Sequence, residues 1–405
     1  MGSSASSHEP PPPQQHRGED IPSLEELRSE CVELELQFTS QSTSQELLRL
    51  IKEHKANTSS KNLSVQKFHS PSSYCKLAAD TYEELVCAII RPPRAIDYNV
   101  QESLGESEFR ISGLKHERVD FAIVNDRGQR LQCSWWREKS FSTLVPCCIY
   151  LHGNSSCRAE AVEVVKPLLQ SGLSVFAFDF SGSGHSEGEY VSLGYYETMD
   201  LKCVIAHLRE TNRVSTICLW GRSMGAVTAL MMAELDPSIC CMICDSPFSS
   251  LRALAKELVD AQELQIPKFA LGLGIKLIRS SVKSRAKFDI NSLEVIDNVD
   301  KCFVPCLFAC AEGDRFILPK HAMAIHQAYA GDKNLVRFQG DHNSPRPRFF
   351  LDSALIFLQN AMRVYHPSSL AAGGGGNNHE DGGGDEEEEE EAMIQQALLL
   401  SMMQG

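Results

Sequence analysis

At 405 residues the chain has room for two or three ordinary domains, or for one large α/β domain with extensions. Its 42% hydrophobic content and 26 glycines suit a sizeable core; no stretch reaches the ~18 apolar residues of a membrane span, and the polar first thirty residues lack a secretory signal. The net charge of −14 is concentrated in Glu380, Asp381, Asp385 and Glu386 to Glu391, and the mildly acidic body left behind lacks the basic footprint of a nucleic-acid binder.

Residues 1–70 read as an N-terminal extension. Its first twenty are rich in Ser, Pro and Gln, with Pro10 to Pro13 consecutive, and cannot bury enough apolar surface to order themselves. Between Ile21 and Lys55, Leu24, Leu27, Cys31 and Leu34, then Leu47, Leu48 and Ile51, recur at helical spacing and predict one or two accessory helices. Within residues 71–94, Thr81 to Ile90 predicts a short leading helix, stopped by Pro92-Pro93 because the residue before a proline is pushed out of the α region.

From residue 95 to 365 strands alternate with helices. Val119 to Val124 and Arg130 to Trp136 flank Asn125-Asp126-Arg127-Gly128 and predict an opening hairpin. Short apolar runs follow at Val145 to Leu151, Leu173 to Phe178, Ile217 to Trp220, Ile239 to Cys244, Val304 to Cys310 and Leu335 to Phe338, as suits strands buried on both faces. Helices are expected over Cys157 to Gln170, Tyr195 to Arg209, Ser223 to Glu234, Leu251 to Leu264 and Pro319 to Tyr329. The alternation predicts a mostly parallel, doubly wound α/β sheet in one domain. Its long excursion at 246–299, broken at Ile266-Pro267-Lys268, suits a small helical cap or a plain structural insertion. The fifteen cysteines fall mainly on apolar runs, which points to reduced thiols of a cytoplasmic protein; Cys241 and Cys244 have redox or metal-ligand spacing without a second pair, so no metal site is expected.

The chemistry begins at Gly221-Arg222-Ser223-Met224-Gly225, between a strand and a helix. A serine in such a G-x-S-x-G turn is exposed at the carboxyl edge of the sheet, with small Gly221 and Gly225 permitting the strained turn, so Ser223 is the candidate nucleophile. A serine hydroxyl needs an imidazole to take its proton and a carboxylate to orient that imidazole. Asp314 follows one later strand and His342 the next, in the chain order Ser, Asp, His; Glu312 and Asp341 are rival acids, and Asp314 is favoured because the turn Glu312-Gly313 aims it back over the sheet. The oxyanion needs two backbone N–H donors, expected from Met224 and, in the loop His152-Gly153-Asn154-Ser155, from Asn154. His152 itself is given no catalytic role.

These residues resemble the alpha/beta-hydrolase superfamily, and within it the serine-aminopeptidase-like group that includes the alpha/beta-hydrolase-domain-17 type protein depalmitoylases. The resemblance rests on His152-Gly153-Asn154, Asp179-Phe180-Ser181-Gly182-Ser183-Gly184-His185-Ser186, the Ser223 pentapeptide, Asp245-Ser246-Pro247-Phe248, Asp314 and His342. It covers about residues 95–365 and is nearest to plant-type members with Ile90-Arg91-Pro92-Pro93-Arg94 and Gly340-Asp341-His342-Asn343-Ser344-Pro345. It implies an alpha/beta-hydrolase fold and a serine hydrolase acting without metal or organic cofactor on an acyl ester, a thioester as in protein depalmitoylation, or a peptide amide.

The two ends carry separate signals. Met1-Gly2-Ser3-Ser4-Ala5-Ser6 permits myristoylation of Gly2, which alone gives only weak membrane association. Residues 366–384 form a Gly-rich linker, and 385–405 join an acidic block to Ala392-Met393-Ile394-Gln395-Gln396-Ala397-Leu398-Leu399-Leu400-Ser401, which resembles a ubiquitin-interacting motif. There Ile394 and Leu398 flank a small Ala397 that permits close approach, and Ser401 can hydrogen-bond. The rival to an enzyme is thus a ubiquitin-binding adaptor that uses a hydrolase fold as a scaffold.

Overall fold

The computed structural model describes residues 82–140, 144–261 and 268–363. The expected accessory helices, Gly2, the glycine linker and the terminal motif lie outside these residues. Residues 82–90 are helical (α1), and the helix stops where the prolines require.

A nine-stranded sheet runs in the order β1-β2-β3-β5-β4-β6-β7-β8-β9. Three antiparallel strands open it: β1 (Glu108–Ile111), β2 (Leu114–Val124) and β3 (Arg130–Glu138). The β2–β3 turn closes through a Gly128 N–H bond to the Asn125 carbonyl, with Gly128 at a φ of 75°. The other six strands are mutually parallel: β4 (Val145–Leu151), β5 (Ser174–Phe178), β6 (Val214–Arg222), β7 (Cys241–Asp245), β8 (Cys306–Ala311) and β9 (Lys333–Phe338). Every residue of β5, β7 and β8 is buried, because helices cover both faces. Phe176, Leu219, Met242 and Phe308 serve the core on one face; Val175, Trp220, Ile243 and Leu307 serve the other.

On β7 this alternation sends Cys241 and Cys244 to opposite cores, so they cannot close on one ion despite their spacing. The buried cysteines act as small apolar side chains, and desolvation pushes the Cys133 and Cys147 thiols up to about 12.

Four features differ from the sequence expectations. Strand β1 and the helices α2 (Val100–Leu104) and α9 (Arg348–Met362) are additional. The helix expected from Cys157 starts as a 3₁₀ turn (Arg158–Ala161) before α3 (Val162–Gln170). Arg158 is pinned there, its N–H to Asp179 Oδ1 at 2.7 Å and its guanidinium to Asp179 Oδ2 at 2.8 Å, and this buried pairing overrides helix propensity.

The remaining helices are α4 (Tyr195–Glu210), α5 (Met224–Leu235), α6 (Leu251–Ala261), α7 (Lys268–Ala286) and α8 (Lys320–Ala328). The excursion after β7 therefore contains α6, α7 and three 3₁₀ turns, at Ile290–Ser292, Val295–Asp297 and Val299–Lys301. Helix α1 braces α7: the Tyr82 hydroxyl donates to the Leu277 carbonyl at 3.0 Å, and Arg285 pairs with Glu83 at 2.7 Å. The loop 179–188 has a structural task. Arg94 donates to the carbonyls of Gly184, Gly188, Ser183 and Ser186, and Gly184 packs so closely on the Asp179 carboxylate that a Cβ would lie 2.3 Å from its carbon. Among the described residues no helix is long and apolar enough to cross a membrane.

Candidate active site

Strand β6 delivers Ser223 and α5 begins at the next residue. Ser223 has φ 53° and ψ −115°, a left-handed conformation costing a non-glycine residue about 1–3 kcal/mol. Its surroundings hold it there. Its N–H donates to the Asp245 carbonyl at 2.8 Å, and its carbonyl accepts from Val227 N–H at 3.1 Å as the helix starts. Both flanking glycines are required by space: a Cβ on Gly221 would lie 2.3 Å from the Gly225 carbonyl oxygen, and one on Gly225 2.0 Å from that of Leu151. The turn places the serine at the N-terminal end of α5, where the helix dipole favours developing negative charge.

Strands β8 and β9 end side by side, with Ala311 opposite Phe338, so the loops leaving them meet. Gly313 N–H donates to the Gly340 carbonyl at 2.9 Å, a contact that leaves no room for a Cβ on Gly313. Across this junction His342 Nδ1 lies 2.7 Å from Asp314 Oδ2. The other Asp314 oxygen accepts from the N–H groups of Phe316 and Ile317, both at 2.8 Å, so the buried carboxylate is fixed from both sides. Neither rival acid touches the imidazole nitrogen. Glu312 pairs with Arg337 at 2.9 Å. Asp341 caps its own loop through Asn343 N–H and Ser344 N–H, both at 2.8 Å, and these bonds hold its carboxyl below the usual 3.8. Phe316 tilts over the imidazole at 5.1 Å between ring centres while remaining half exposed.

The loop after β4 lies against the nucleophile: a Cβ on Gly153 would sit 3.8 Å from that of Ser223. His152 is fully buried there. Phe180 N–H donates to its Nε2 at 3.1 Å, so the proton resides on Nδ1, which donates to the Gly153 carbonyl at 2.7 Å. A trans peptide directs its C=O and N–H oppositely, so this bond turns the Asn154 N–H away from His152. Met224 follows Ser223 as the first, fully buried residue of α5.

Two residues under the site had no assigned role in the sequence reading. Arg346 and Asp245 form a buried pair, with Nε 2.6 Å from Oδ2 and Nη2 3.2 Å from Oδ1. Arg346 also donates to the carbonyls of Ser344 (2.8 Å) and His342 (3.4 Å). Asp245 stands out in the sequence as a charge at the end of an apolar strand; nothing local identifies its partner 101 residues later.

Residues 145–292 match the family described as serine aminopeptidase, S33. The uncharacterized protein YqkD of Bacillus subtilis is 29% identical over 210 residues, covering 50% of this chain and 65% of that protein. The lysophosphatidylserine lipase ABHD12 of Danio rerio is 32% identical over 130 residues, covering 30% of this chain and 33% of the lipase. The chain thus spans less than two thirds of either relative. Among solved structures, the Pyrococcus furiosus esterase Pf2001 is similar with a TM-score of 0.51 and 22% identity, over 67% of this chain and 99% of the esterase. With its mostly parallel sheet and helices on both faces, this is an alpha/beta-hydrolase fold, as the sequence predicts.

Proposed function

We propose that this protein is a serine hydrolase that cleaves acyl esters through an acyl-enzyme on Ser223. The observation that carries this reading is the 2.7 Å Asp314–His342 bond on loops beside a serine strained into the left-handed region. Asp314 holds the proton on Nδ1, leaving Nε2 to accept the Ser223 proton as Oγ attacks the carbonyl carbon. That contact closes when substrate fills the site, since catalytic hydrogen bonds are often loose without it. The N–H groups of Met224 and Asn154 receive the oxyanion. The imidazolium then protonates the leaving group, and the same nitrogen activates the water that releases the acid.

An oxygen ester is favoured because the named lipase and esterase relatives act on such bonds; a thioester, as in protein depalmitoylation, requires the same steps with a better leaving group. For the tail, the sequence pattern supports ubiquitin binding by Ile394, Ala397, Leu398 and Ser401. The test is labelling with a fluorophosphonate, followed by a panel of acyl esters, acyl-thioester peptides and aminoacyl amides. Labelling with ester turnover supports the reading, and an unlabelled, inert protein would favour the adaptor.

A further inference from the structure

Arg222, the residue before the nucleophile in the G-x-S-x-G turn, faces two loops at once. Its Nη2 donates to the His342 carbonyl at 2.9 Å, and its Nη1 lies 3.6 Å from Glu160 Oε1. Glu160 in turn accepts from Gly153 N–H at 3.1 Å through Oε2 and from the Tyr150 hydroxyl at 3.2 Å through Oε1. The two charged side chains are only 20% and 13% exposed, which shields the pair from solvent.

We infer that Arg222 is a positioning residue: from the nucleophile's own turn it holds the histidine loop directly and, through Glu160, the loop that presents the Asn154 N–H. This rests on the serine hydrolase reading. The proton acceptor and the oxyanion donor must reach one reacting carbonyl together, yet they sit on loops that leave different strands. A guanidinium suits the task because its donors form a rigid fork that spans two separated acceptors, which a lysine ammonium, with its three donors on one nitrogen, spans less well. Arg346 also holds the His342 carbonyl, at 3.4 Å, so loss of Arg222 loosens the arrangement without releasing the loop.

The experiment uses the full chain with p-nitrophenyl butyrate, and urea unfolding as the control for structure. Arg222→Met should lower kcat by about a hundredfold, the scale of a 1 Å misplacement, with KM nearly unchanged, while the unfolding midpoint falls because Glu160 loses its partner yet the variant stays folded at assay conditions. Arg222→Lys should recover only part of the loss. Glu160→Gln should lower kcat in the same direction, and the double variant should be little worse than Arg222→Met, because both changes break one chain of contacts. If Arg222→Met does not fold, Glu160→Gln decides by the same split between kcat and KM. A folded Arg222→Met enzyme with kcat within about twofold of the parent, or with only KM raised, overturns the inference. A parent that is neither labelled by fluorophosphonate nor active contradicts the serine hydrolase reading instead.

Discussion

Asp245 joins two parts of the site: its backbone carbonyl accepts the Ser223 N–H, while its carboxylate holds Arg346, 2.6 Å away, which grips the histidine loop. Both side chains are almost wholly buried. Removing one charge strands the other, which typically costs about 3–5 kcal/mol. Arg346→Met should therefore lower the urea unfolding free energy by that order, and Asp245→Asn with Arg346→Met should recover part of it. A single variant as stable as the parent would show the pair to be dispensable.

Among the three acids of the loops after β8 and β9, only Asp314 meets the imidazole. Asp314→Asn should reduce kcat by up to about 10⁴-fold, the scale seen when a triad histidine loses its orienting carboxylate. Glu312→Gln and Asp341→Asn should stay within about tenfold, since one pairs with Arg337 and the other caps its own turn. Steady-state kinetics on one ester compares all three; equal losses would contradict the assignment.

Glycine positions offer a contrast within one residue type. A methyl on Gly225 would meet the Leu151 carbonyl at 2.0 Å, so Gly225→Ala should fail to give stable, active protein. At Gly274 in α7 a Cβ meets nothing within 4 Å, and Gly274→Ala should leave stability unchanged or raise it by about 0.5–1 kcal/mol through helix propensity. Thermal melts of both variants check this.

The pairing of Arg279 with Asp289 beyond α7 gives a pH dependence. The Arg279 hydrogen bond is the main cause holding the Asp289 carboxyl down to about 2, below its usual 3.8. A depressed carboxylate stabilises the fold above its unfolded value, and that contribution disappears as pH falls through the folded value. The stability difference between the parent and Asp289→Asn should therefore shrink as pH drops from about 4 to about 2, and solvent exposure keeps it below ~1 kcal/mol. A difference independent of pH across that window would contradict the pairing.

The fold was legible where one physical signal dominated. Short apolar runs bounded by turn residues, such as Ile239 to Cys244, suit strands buried on both faces, and the glycines of the Ser223 turn announce a crowded backbone. Chain order and the Glu312-Gly313 turn brought Asp314 and His342 forward, and the hydrogen bonds across the β8–β9 junction show how Asp314, rather than its rivals, meets the imidazole. Contacts between distant segments left no local trace. The Arg346–Asp245 pair and the chain from Arg222 through Glu160 to Gly153 exist only once the strands stand side by side. Strand β1 was missed because, of its four residues, only Ile111 is buried.

The proposed ubiquitin-binding tail would separate recruitment from turnover. Deleting residues 385–405, or changing Ala397→Arg, should abolish ubiquitin binding in an NMR titration while turnover of a small ester stays at the parent rate. Unchanged binding, or a fall in ester turnover, would contradict an independent ubiquitin-binding tail.

Fluorophosphonate labelling of the full chain beside Ser223→Ala, with ester turnover measured on the same samples, tests the central claim most directly. The substitution removes one oxygen atom and little volume, so the variant should unfold at the parent's urea midpoint. The account predicts a covalent adduct on Ser223 in the parent, none in the variant, and a loss of turnover approaching the ~10⁶-fold cost of disabling a serine triad. Equal labelling of the two proteins, or ester turnover that survives the substitution, would contradict it.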